Sequence, residues 1–371
     1  AGLEDGHLYG IKVDALVNAV TASLSNETDA NAASGRFSMF DEGIVGALTG
    51  AQLDAQSEAN GVTSFQRPED GSWDPTNPNV YWFVTTASAT GQSRLYKMTF
   101  DDITQPELGG TIQAVLDSNQ LPVNGGVGPR MMDNITVGVD GKIIIQEDIG
   151  NNAHLGRVFE YDPVTDKLVT LGTHDASRFL SGGAQFQTQD EESSGVIDVT
   201  DMFGDATHRV YLLDSQSHTA ATGPNAATLV EGGQLQLMTI TNNAPVIASN
   251  GGGDTAAVNV VENTTAVTTV SATDDVTDTV TYSISGGADA ASFTIDAYTG
   301  ALSFVSALDH DAPADADHDG VFDVVVRASD GYLTDDQALA VTVTNVNEAP
   351  ALTGAQATLA NSAGSKRPSY S

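Results

Sequence analysis

Carboxylate-bearing turns flank the best strand candidate in the sequence. The β-branched run Ile143–Ile145 is entered through Asp140–Gly141, a tight-turn dipeptide, and it is left through Glu147–Asp148. A second acidic turn, Asp133–Asn134, precedes this run. Carboxylate and amide oxygens are the ligands that hard cations such as Ca²⁺ take in proteins. The pattern therefore predicts a cation site at one end of a small sheet.

A second candidate site is an aspartate-rich loop near the C-terminal end. Asp315, Asp317 and Asp319 are followed by Gly320, which gives DxDxDG, the first half of an EF-hand-type loop. Position twelve of such a loop is Val326, so a complete EF-hand is excluded. Because aspartates this dense repel one another without a counter-ion, we predict a partial calcium loop. The alternative is a solvated acidic loop.

Composition limits the chemistry further. The 371 residues include 49 acidic and 14 basic side chains, for a formal charge of −35, and no cysteine. A chain this acidic is repelled by nucleic acid, and without cysteine it forms neither disulfides nor zinc-thiolate sites. No run reaches the roughly 18 apolar residues of a membrane span. Calcium sites of the weak extracellular class fill outside the cell, so we expect a secreted, bacterial protein stabilised by calcium instead of disulfides.

Short strands at regular spacing must position the first group of acids. The sequence predicts a helix over Ile44–Asn60 and a turn over Asp162–Asp166. The predicted strands are Gly6–Val13, Arg36–Phe40, Val80–Thr86, Arg94–Phe100, Thr111–Leu116, Ile143–Ile145, Arg157–Tyr161, Lys167–Gly172, Val196–Val199, Arg209–Leu213 and Gln234–Ile240. This series favours an all-β propeller or barrel. The strands fill only about three four-stranded blades, whereas a closed propeller has at least about four. We therefore expect either a missing N-terminal portion or further strands in the loops.

Five motifs, in order, give residues 1–243 a resemblance to PhoX-type alkaline phosphatases. They are FQRPED (Phe65–Asp70), MMDNITVGVDGKIIIQED (Met131–Asp148), EESSGVID (Glu191–Asp198), YLLDSQSH (Tyr211–His218) and LVEGGQL (Leu229–Leu235). The order resembles the C-terminal half of that family. The resemblance implies part of a six-bladed propeller whose axis holds calcium and, in characterised members, iron (Fe³⁺).

The same resemblance implies a metal site and a reaction. The family's metal-binding glutamates fall on Glu69 and Glu147, and Asp70, Asp133 and Asp148 are further metal candidates. The implied reaction is phosphomonoester hydrolysis, in which metal ions polarise a phosphoryl oxygen and an arginine contacts the developing charge.

Arg67 and Arg130 are the catalytic arginine candidates within these motifs. The arginines have a structural alternative, as ion-pair partners of nearby acids. Glu69 and Glu147 also have one, as acceptors that cap backbone amides. The cysteine that some family members place at the iron is missing from this sequence.

A composition shift at Thr241–Pro245 opens a different module, residues 244–350. From Val246 to Pro350 there are 17 acidic residues and one basic residue, Arg327. Seven strands are predicted in this module, as in an immunoglobulin-like sandwich: Val258–Glu262, Thr265–Ala272, Val280–Ser285, Ser292–Ile295, Leu302–Val305, Phe322–Ala328 and Ala338–Thr344.

The motifs of this module resemble bacterial cadherin-like repeats. They are VVEN (Val260–Asn263), FTIDAYTGAL (Phe293–Leu302), LDHD (Leu308–Asp311), RASDG (Arg327–Gly331) and VTNVNEAP (Val343–Pro350). The resemblance implies calcium at Glu262, Asp309, Asp311 and Asp330, with linker oxygens from Asn347 and Glu348. Residues 351–371 are interpreted as the start of a further repeat or a disordered tail.

Two functions of different classes stay open from the sequence. One is a secreted, metal-dependent phosphatase acting on a phosphoester, with the sandwich as its tether. The other is a calcium-stiffened structural or adhesion protein without turnover, joined to further cadherin-like repeats or to an extracellular matrix. An exposed sheet edge on an incomplete propeller would also allow a homo-oligomer or a filament.

Overall fold

The computed structural model describes residues 7–15, 26–205, 207–220 and 231–347 as an all-β protein with little helix. The helices are α1 (Gly50–Asn60), α2 (Ala176–Phe179) and α3 (Thr200–Phe203). The strands of the first part of the chain are β1 (His7–Ala15), β2 (Gly35–Ile44), β3 (Pro68–Trp73), β4 (Val80–Thr85), β5 (Arg94–Phe100), β6 (Gly110–Asp117), β7 (Met132–Val137), β8 (Ile143–Glu147), β9 (Arg157–Asp162), β10 (Lys167–Thr173), β11 (Glu191–Glu192), β12 (Val196–Asp198), β13 (His208–Ala220) and β14 (Glu231–Thr241). Those of the last part are β15 (Val246–Ile247), β16 (Thr255–Val261), β17 (Ala266–Thr269), β18 (Ala272–Thr273), β19 (Thr281–Gly286), β20 (Phe293–Ile295), β21 (Ala301–Phe304), β22 (Val321–Ser329) and β23 (Thr334–Thr344).

The chain divides into two compact units that do not follow the sequence boundary. The first unit holds Ala1–Ala248 together with Ser271–Tyr282 and Arg327–Asp335. The second unit holds Ser249–Val270, Ser283–Val326 and Asp336–Ser371. Three short segments of the predicted module 244–350, residues 244–248, Ser271–Tyr282 and Arg327–Asp335, therefore belong to the first unit.

Three antiparallel sheets build most of the first unit. The largest has the order β1-β2-β6-β5-β4-β3, the second has the order β10-β9-β8-β7, and in the third β11, β12 and β14 all pair with β13. A four-stranded antiparallel sheet of consecutive strands is the blade unit of a propeller. Of the three sheets only β10-β9-β8-β7 has this form, the largest sheet has six strands, and closure into a ring is not shown. The partial propeller therefore stays a prediction, and the all-β class is confirmed.

Apolar faces of neighbouring sheets form the core of this unit. Residues from β4, β5, β7, β8 and β9 are fully buried in one cluster, which includes Trp82, Leu95, Ile145 and Phe159. A second cluster packs Phe37, Phe83, Tyr96 and Met98 within the largest sheet. Burial of such side chains stabilises a fold by roughly 1.5–3 kcal/mol each. The core thus fixes the ends of β7 and β8, where the predicted acids lie.

The hairpin turns have the residues that their geometry requires. Gly138 N donates to Lys142 O over 2.9 Å, and Gly141 has φ +79°, a left-handed conformation that glycine adopts without strain. In the turn after β9, Asp162 accepts hydrogen bonds from Val164 N at 2.8 Å and Thr165 Oγ1 at 2.7 Å. Both turn predictions are confirmed.

The predicted helix over Ile44–Asn60 is shorter than expected. Ile44 is the last residue of β2, and α1 begins only at Gly50. Thr49 and Gln52 form a reciprocal capping box, which satisfies free amides at the helix start. The apolar residues that suggested an earlier start belong to a strand and its following turn.

Two facing sheets form the sandwich of the last part of the chain. One has the order β16-β23-β22-β19 and the other β17-β21-β20. Phe304 from the second sheet packs on Phe322 from the first, with ring centroids 5.4 Å apart. The sandwich prediction is confirmed, although the predicted strand Thr265–Ala272 is divided into β17 and β18 and the short strand β15 was missed.

Some predictions lie outside the described residues. Glu348 and the segment 351–371 are among them. Within the described ranges, no helix has the length and apolar character needed to cross a membrane.

Candidate metal centres

Glu147, at the end of β8, is fully buried among hydrogen-bond donors. Its Oε1 accepts from Arg157 Nη2 and from Arg130 N, both at 2.6 Å. Its Oε2 accepts from Arg157 Nε at 3.0 Å and Arg157 N at 3.1 Å, and His154 Nε2 lies 3.1 Å away. A carboxylate has about four acceptor positions. Because donors fill them, the geometry favours a structural ion pair at this predicted metal ligand.

The two arginine candidates lie in different surroundings. Arg67 is half exposed and its Nη2 lies 3.2 Å from Glu69 Oε1. Its backbone has φ +57°, an uncommon conformation for a residue with a side chain. Arg130 donates from Nη1 to Ala89 O over 2.8 Å. Only Arg67 has a predicted metal residue as its direct side-chain partner, and the catalytic role of both arginines stays a prediction.

The remaining acids of the first motif group act on one another through their charges. Burial, together with the charges of Asp148 and Glu69, raises the pKa of Asp133 to about 7. The pKa of Asp148 is also raised, chiefly by burial and also by the Glu192 charge. These acids, which we name the Asp133 group, consist of Glu69, Asp133, Asp148 and Glu192. Their mutual repulsion favours a cation nearby. The guanidinium of Arg67 supplies part of the positive charge that these acids need.

Asp70 has a different environment from its neighbour Glu69. Its Oδ1 accepts from Gly71 N at 2.7 Å and its Oδ2 accepts from Ile135 N at 3.1 Å. The bond from Ile135 joins β3 to β7. One lone pair of each oxygen is therefore used for backbone amides, and Asp70 acts as a structural connection between the two strands.

A tighter acidic cluster, which the sequence analysis missed, lies elsewhere in the first unit. Asp274, Asp275 and Asp278 each offer a carboxylate oxygen within 4.8 Å of the others, and we name them the Asp274 cluster. Asp274 Oδ2 and Asp278 Oδ2 are buried without a hydrogen-bond partner. Burial and the charges of Asp278 and Asp330 raise the pKa of Asp274 to about 6. Unsatisfied buried carboxylate oxygens at this spacing fit an oxygen-coordinated cation.

The linker between the two sequence regions contacts this cluster. Asn243 donates from its backbone N to Asp275 Oδ2 over 2.8 Å, and its Nδ2 contacts both oxygens of Asp275. Asn242 Nδ2 donates to Asp330 Oδ2 over 2.9 Å. The predicted calcium residue Asp330 is thus placed next to the Asp274 cluster by the linker asparagines.

Two buried basic side chains, Lys142 and Arg209, lie close to Asp278 of the Asp274 cluster. Lys142 Nζ lies 2.7 Å from Asp278 Oδ1 and donates to Thr277 O over 2.9 Å. Arg209 Nη1 lies 2.5 Å from Glu160 Oε2 and 3.3 Å from Asp140 Oδ2. Asp278 therefore contacts the lysine through Oδ1, and its Oδ2 is the buried oxygen without a hydrogen-bond partner. We name Asp140, Lys142, Glu160, Arg209 and Asp278 the buried ion network.

The other predicted cadherin-type residues lie together in the second unit. Glu262 is 3% exposed, and its oxygens accept from His310 N at 2.8 Å and Val346 N at 2.5 Å. Asp309 Oδ1 accepts from Asp311 N at 2.9 Å. Asp330 lies in the first unit. The joint role of these four residues in one calcium site stays a prediction.

The Asp315 loop, residues 315–320, has the predicted convergence of acids. Asp315, Asp317 and Asp319 each offer an oxygen within 4.8 Å of the others. The Asp319 charge raises the pKa of Asp317. The cluster is the second of the two groups of this kind found among residues that the structure describes.

The sequence contained usable signals for the missed residues. The Asp274–Asp275 doublet and Asp278 stand in an acid-rich segment, and Glu160 interrupts an otherwise apolar strand. A charged residue within a buried strand requires a partner of opposite charge. The identity of that partner depends on tertiary contacts, since Lys142 and Arg209 are distant in sequence.

These observations define an all-β protein with acidic oxygen clusters suited to hard cations. No protein-family model matches the chain. A stretch of 37 residues, 10% of this chain, is 57% identical to halomucin of Haloquadratum walsbyi, and its share of halomucin rounds to 0%. Membership of the PhoX-type family therefore stays a prediction.

Similar solved structures include several cadherin fragments. Human protocadherin-24 EC1-2 is 26% identical over 28% of this chain and 45% of that one, with a TM-score of 0.24. Chicken VE-cadherin EC1-2 is 21% identical over 38% and 68% of the two chains, with a TM-score of 0.22. Drosophila N-cadherin EC1-3 is 16% identical over 64% and 60%, with a TM-score of 0.24. The chain spans less than half of the protocadherin fragment. TM-scores of this size do not establish a shared fold, so the architecture rests on the strand pairings above.

Proposed function

We propose that this chain is a segment of an extracellular structural or adhesion protein that calcium stiffens. In this proposal the Asp274 cluster binds Ca²⁺ with Asp330 beside it. The cation would fix the linker asparagines and the short segments that contact them. Further repeats of the same kind, an extracellular matrix or a second copy of the chain would be its partners. The cadherin-like motifs of residues 244–350 support this class of function.

The observation that carries the proposal is the pair of buried, unpartnered oxygens, Asp274 Oδ2 and Asp278 Oδ2. A buried carboxylate oxygen without a partner costs roughly 1–3 kcal/mol or more. Like charges at this distance add repulsion. A dication between the oxygens would remove both costs, so calcium binding would stabilise the first unit.

Asp274→Asn separates a cation site from a purely structural cluster. Removing one negative charge should raise the melting temperature of the calcium-free chain, because repulsion falls. The same change should reduce the stabilisation that millimolar calcium provides, because a ligand is lost. Differential scanning calorimetry of the full chain, with calcium or with chelator, measures both effects.

The matched control for this experiment is Asp296→Asn. Asp296 Oδ1 accepts from Thr299 N at 2.8 Å in a surface turn. Its substitution should leave the calcium-dependent shift unchanged. A calcium shift of equal size in wild type and Asp274→Asn would exclude the Asp274 cluster as the site. Stabilisation by magnesium or sodium as large as that by calcium, at equal ionic strength, would likewise argue against a specific calcium site.

Phosphomonoester hydrolysis is the second candidate function. The observation in its favour is that the charges of Asp148, Glu69 and Glu192 raise the pKa of Asp133, while the charge of Arg67 opposes that rise. Calcium or iron bound there would polarise a phosphoryl oxygen. The role of Arg67 would be to orient the phosphate through its guanidinium. Glu147, engaged with Arg157, would position this region and not contact the metal.

Hydrolysis of p-nitrophenyl phosphate with added calcium and iron tests this candidate. If the chain is a phosphatase, Glu69→Gln and Arg67→Lys should reduce kcat by at least an order of magnitude. Asp296→Asn is again the control for folding and handling. Absence of turnover in the wild-type chain, with both metals present, would leave the structural function alone.

A further inference from the structure

The Asp315 loop has a feature that the other acidic loops of the second unit lack in the described residues. Asp315 is 1% exposed, and its Oδ1 is buried with no hydrogen-bond partner. Its Oδ2 accepts from Asp319 N at 2.7 Å. An ionised carboxylate is seldom buried in this way unless a cation or a donor faces its remaining oxygen. The free oxygen therefore points to a ligand.

The loop backbone is held in place before any cation binds. Asp289 is 7% exposed and accepts from Ala316 N at 2.7 Å and from Asp323 N at 2.8 Å. These two bonds fix both flanks of the loop. Because its own oxygens are used for amides, Asp289 is a positioning residue and not a ligand.

We propose that the Asp315 loop binds one Ca²⁺ ion through Asp315 Oδ1 and one oxygen each of Asp317 and Asp319. The donor set is entirely oxygen, as calcium prefers, and it lacks the nitrogen and sulfur ligands of zinc sites. Water would fill the remaining positions. Calcium tolerates such an irregular shell, whereas Mg²⁺ requires near-octahedral geometry.

The site should be weak. Val326, at the position of the bidentate acid in a complete EF-hand, is fully buried in the sandwich core and cannot turn to the loop. Loss of that ligand places the expected dissociation constant in the extracellular range of about 10⁻⁴–10⁻³ M. This inference deepens the proposed function. It rests on that function in one respect: an extracellular location supplies the calcium concentration that would fill the site.

Binding would also tie the loop to the sheet. Val321 N donates to Asp319 Oδ1 over 2.8 Å, and Val321 is the first residue of β22. A cation held by Asp319 would therefore restrict the start of that strand. The expected local effect is slower exchange of the amide protons at Asp319, Gly320 and Val321 in calcium.

Equilibrium dialysis of the full chain with radioactive calcium counts the sites. The double variant Asp317→Asn/Asp319→Asn changes two exposed side chains and so preserves the core. It should bind one equivalent fewer than wild type, and Asp296→Asn should bind as many as wild type. The Gly320 amide resonance should shift with calcium in wild type and stay unchanged in the double variant.

The outcomes separate this site from the Asp274 cluster. If the double variant loses one equivalent and Asp274→Asn loses none, the loop site stands and the proposed site at Asp274 is overturned. If the double variant binds as much calcium as wild type, or Gly320 does not respond, the loop site is overturned. Absence of calcium binding in wild type overturns both.

Discussion

Burial decides what each glutamate of the phosphatase-like motifs does. Glu147 is completely buried and accepts from both nitrogen ends of the Arg157 guanidinium. Glu69 is partly exposed and contacts the half-exposed Arg67. The sequence analysis gave both the same role because the resemblance placed the family's metal-binding glutamates at both positions. Their different environments become visible only in the packed fold, since Arg157 arrives from the next strand.

Glu147→Gln should therefore destabilise the chain far more than Glu69→Gln. Removing one member of a buried ion pair costs about 3–5 kcal/mol, because the other charge stays buried. A surface pair contributes only about 0.2–1 kcal/mol. Urea unfolding followed by tryptophan fluorescence measures both. Equal effects of the two substitutions would show that Arg157 finds another partner or reaches solvent.

Asp133 should give a measurable pH dependence in calcium-free buffer. Its pKa is raised to about 7 in the folded chain by burial and by Asp148 and Glu69, whereas an unfolded aspartate titrates near about 3.9. The folded state therefore binds the extra proton, and this contribution to stability is lost as the pH rises from about 4 to 7. Asp133→Asn should flatten that decline and raise the melting temperature above about pH 7.

Carbon-13 NMR of the Asp133 carboxyl group tests the same shift directly. A midpoint near 4 in the folded chain would contradict the electrostatic account. The exposed residue Asp101, whose pKa is lowered by its hydrogen bond to Arg36, is a useful internal reference in the same spectra.

The positions of the strands and helices were more predictable from the sequence than the residues that they contact. Alternation and β-branched runs located most strands to within a few residues, because side-chain direction in a strand repeats every two residues. The helix start was misplaced, since Ile44 and Val45 suit either a strand end or a helix. Capping by Thr49 decides the boundary, and that choice depends on a local hydrogen bond that hydropathy does not report.

The buried ion network joins the turn before β8 and the strands β9 and β13 to the segment Ser271–Tyr282. Arg209→Met should destabilise the chain by about 3–5 kcal/mol, because Glu160 would lose its closest cation. Arg36→Met is the matched control: its partner Asp101 is exposed, so the expected cost is at most about 1 kcal/mol. Thermal unfolding of both variants measures the contrast. A small effect at Arg209 would mean that Lys142, 3.7 Å from Glu160, suffices alone.

At the scale of the whole molecule, net charge dominates. The formal charge of −35 opposes compactness through self-repulsion, which salt screens. Sodium chloride should therefore raise the melting temperature gradually. Calcium at equal ionic strength should raise it further and saturably, since site binding adds to screening. Superimposable curves for the two salts would indicate screening alone, and strontium serves as a second divalent control.

The sequence located some acidic sites but could not show which of them is best suited to bind a cation. The Asp315 loop is local, so its spacing alone predicted the convergence that the structure shows. The Asp274 cluster is also local in sequence, but its link to Asp330 and the linker asparagines requires the fold. The Glu262 and Asp330 positions were grouped by resemblance, and the structure divides them between units.

The first and last long strands of the sandwich run side by side in the same direction. β16 pairs with β23 in parallel register from Thr255 opposite Ala338 to Val261 opposite Thr344. Tension applied at the start of β16 and the end of β23 would pull these strands lengthwise past each other. Their seven residue pairs would then resist together and would not open one after another. Such a shear geometry suits a segment that bears load between its two ends.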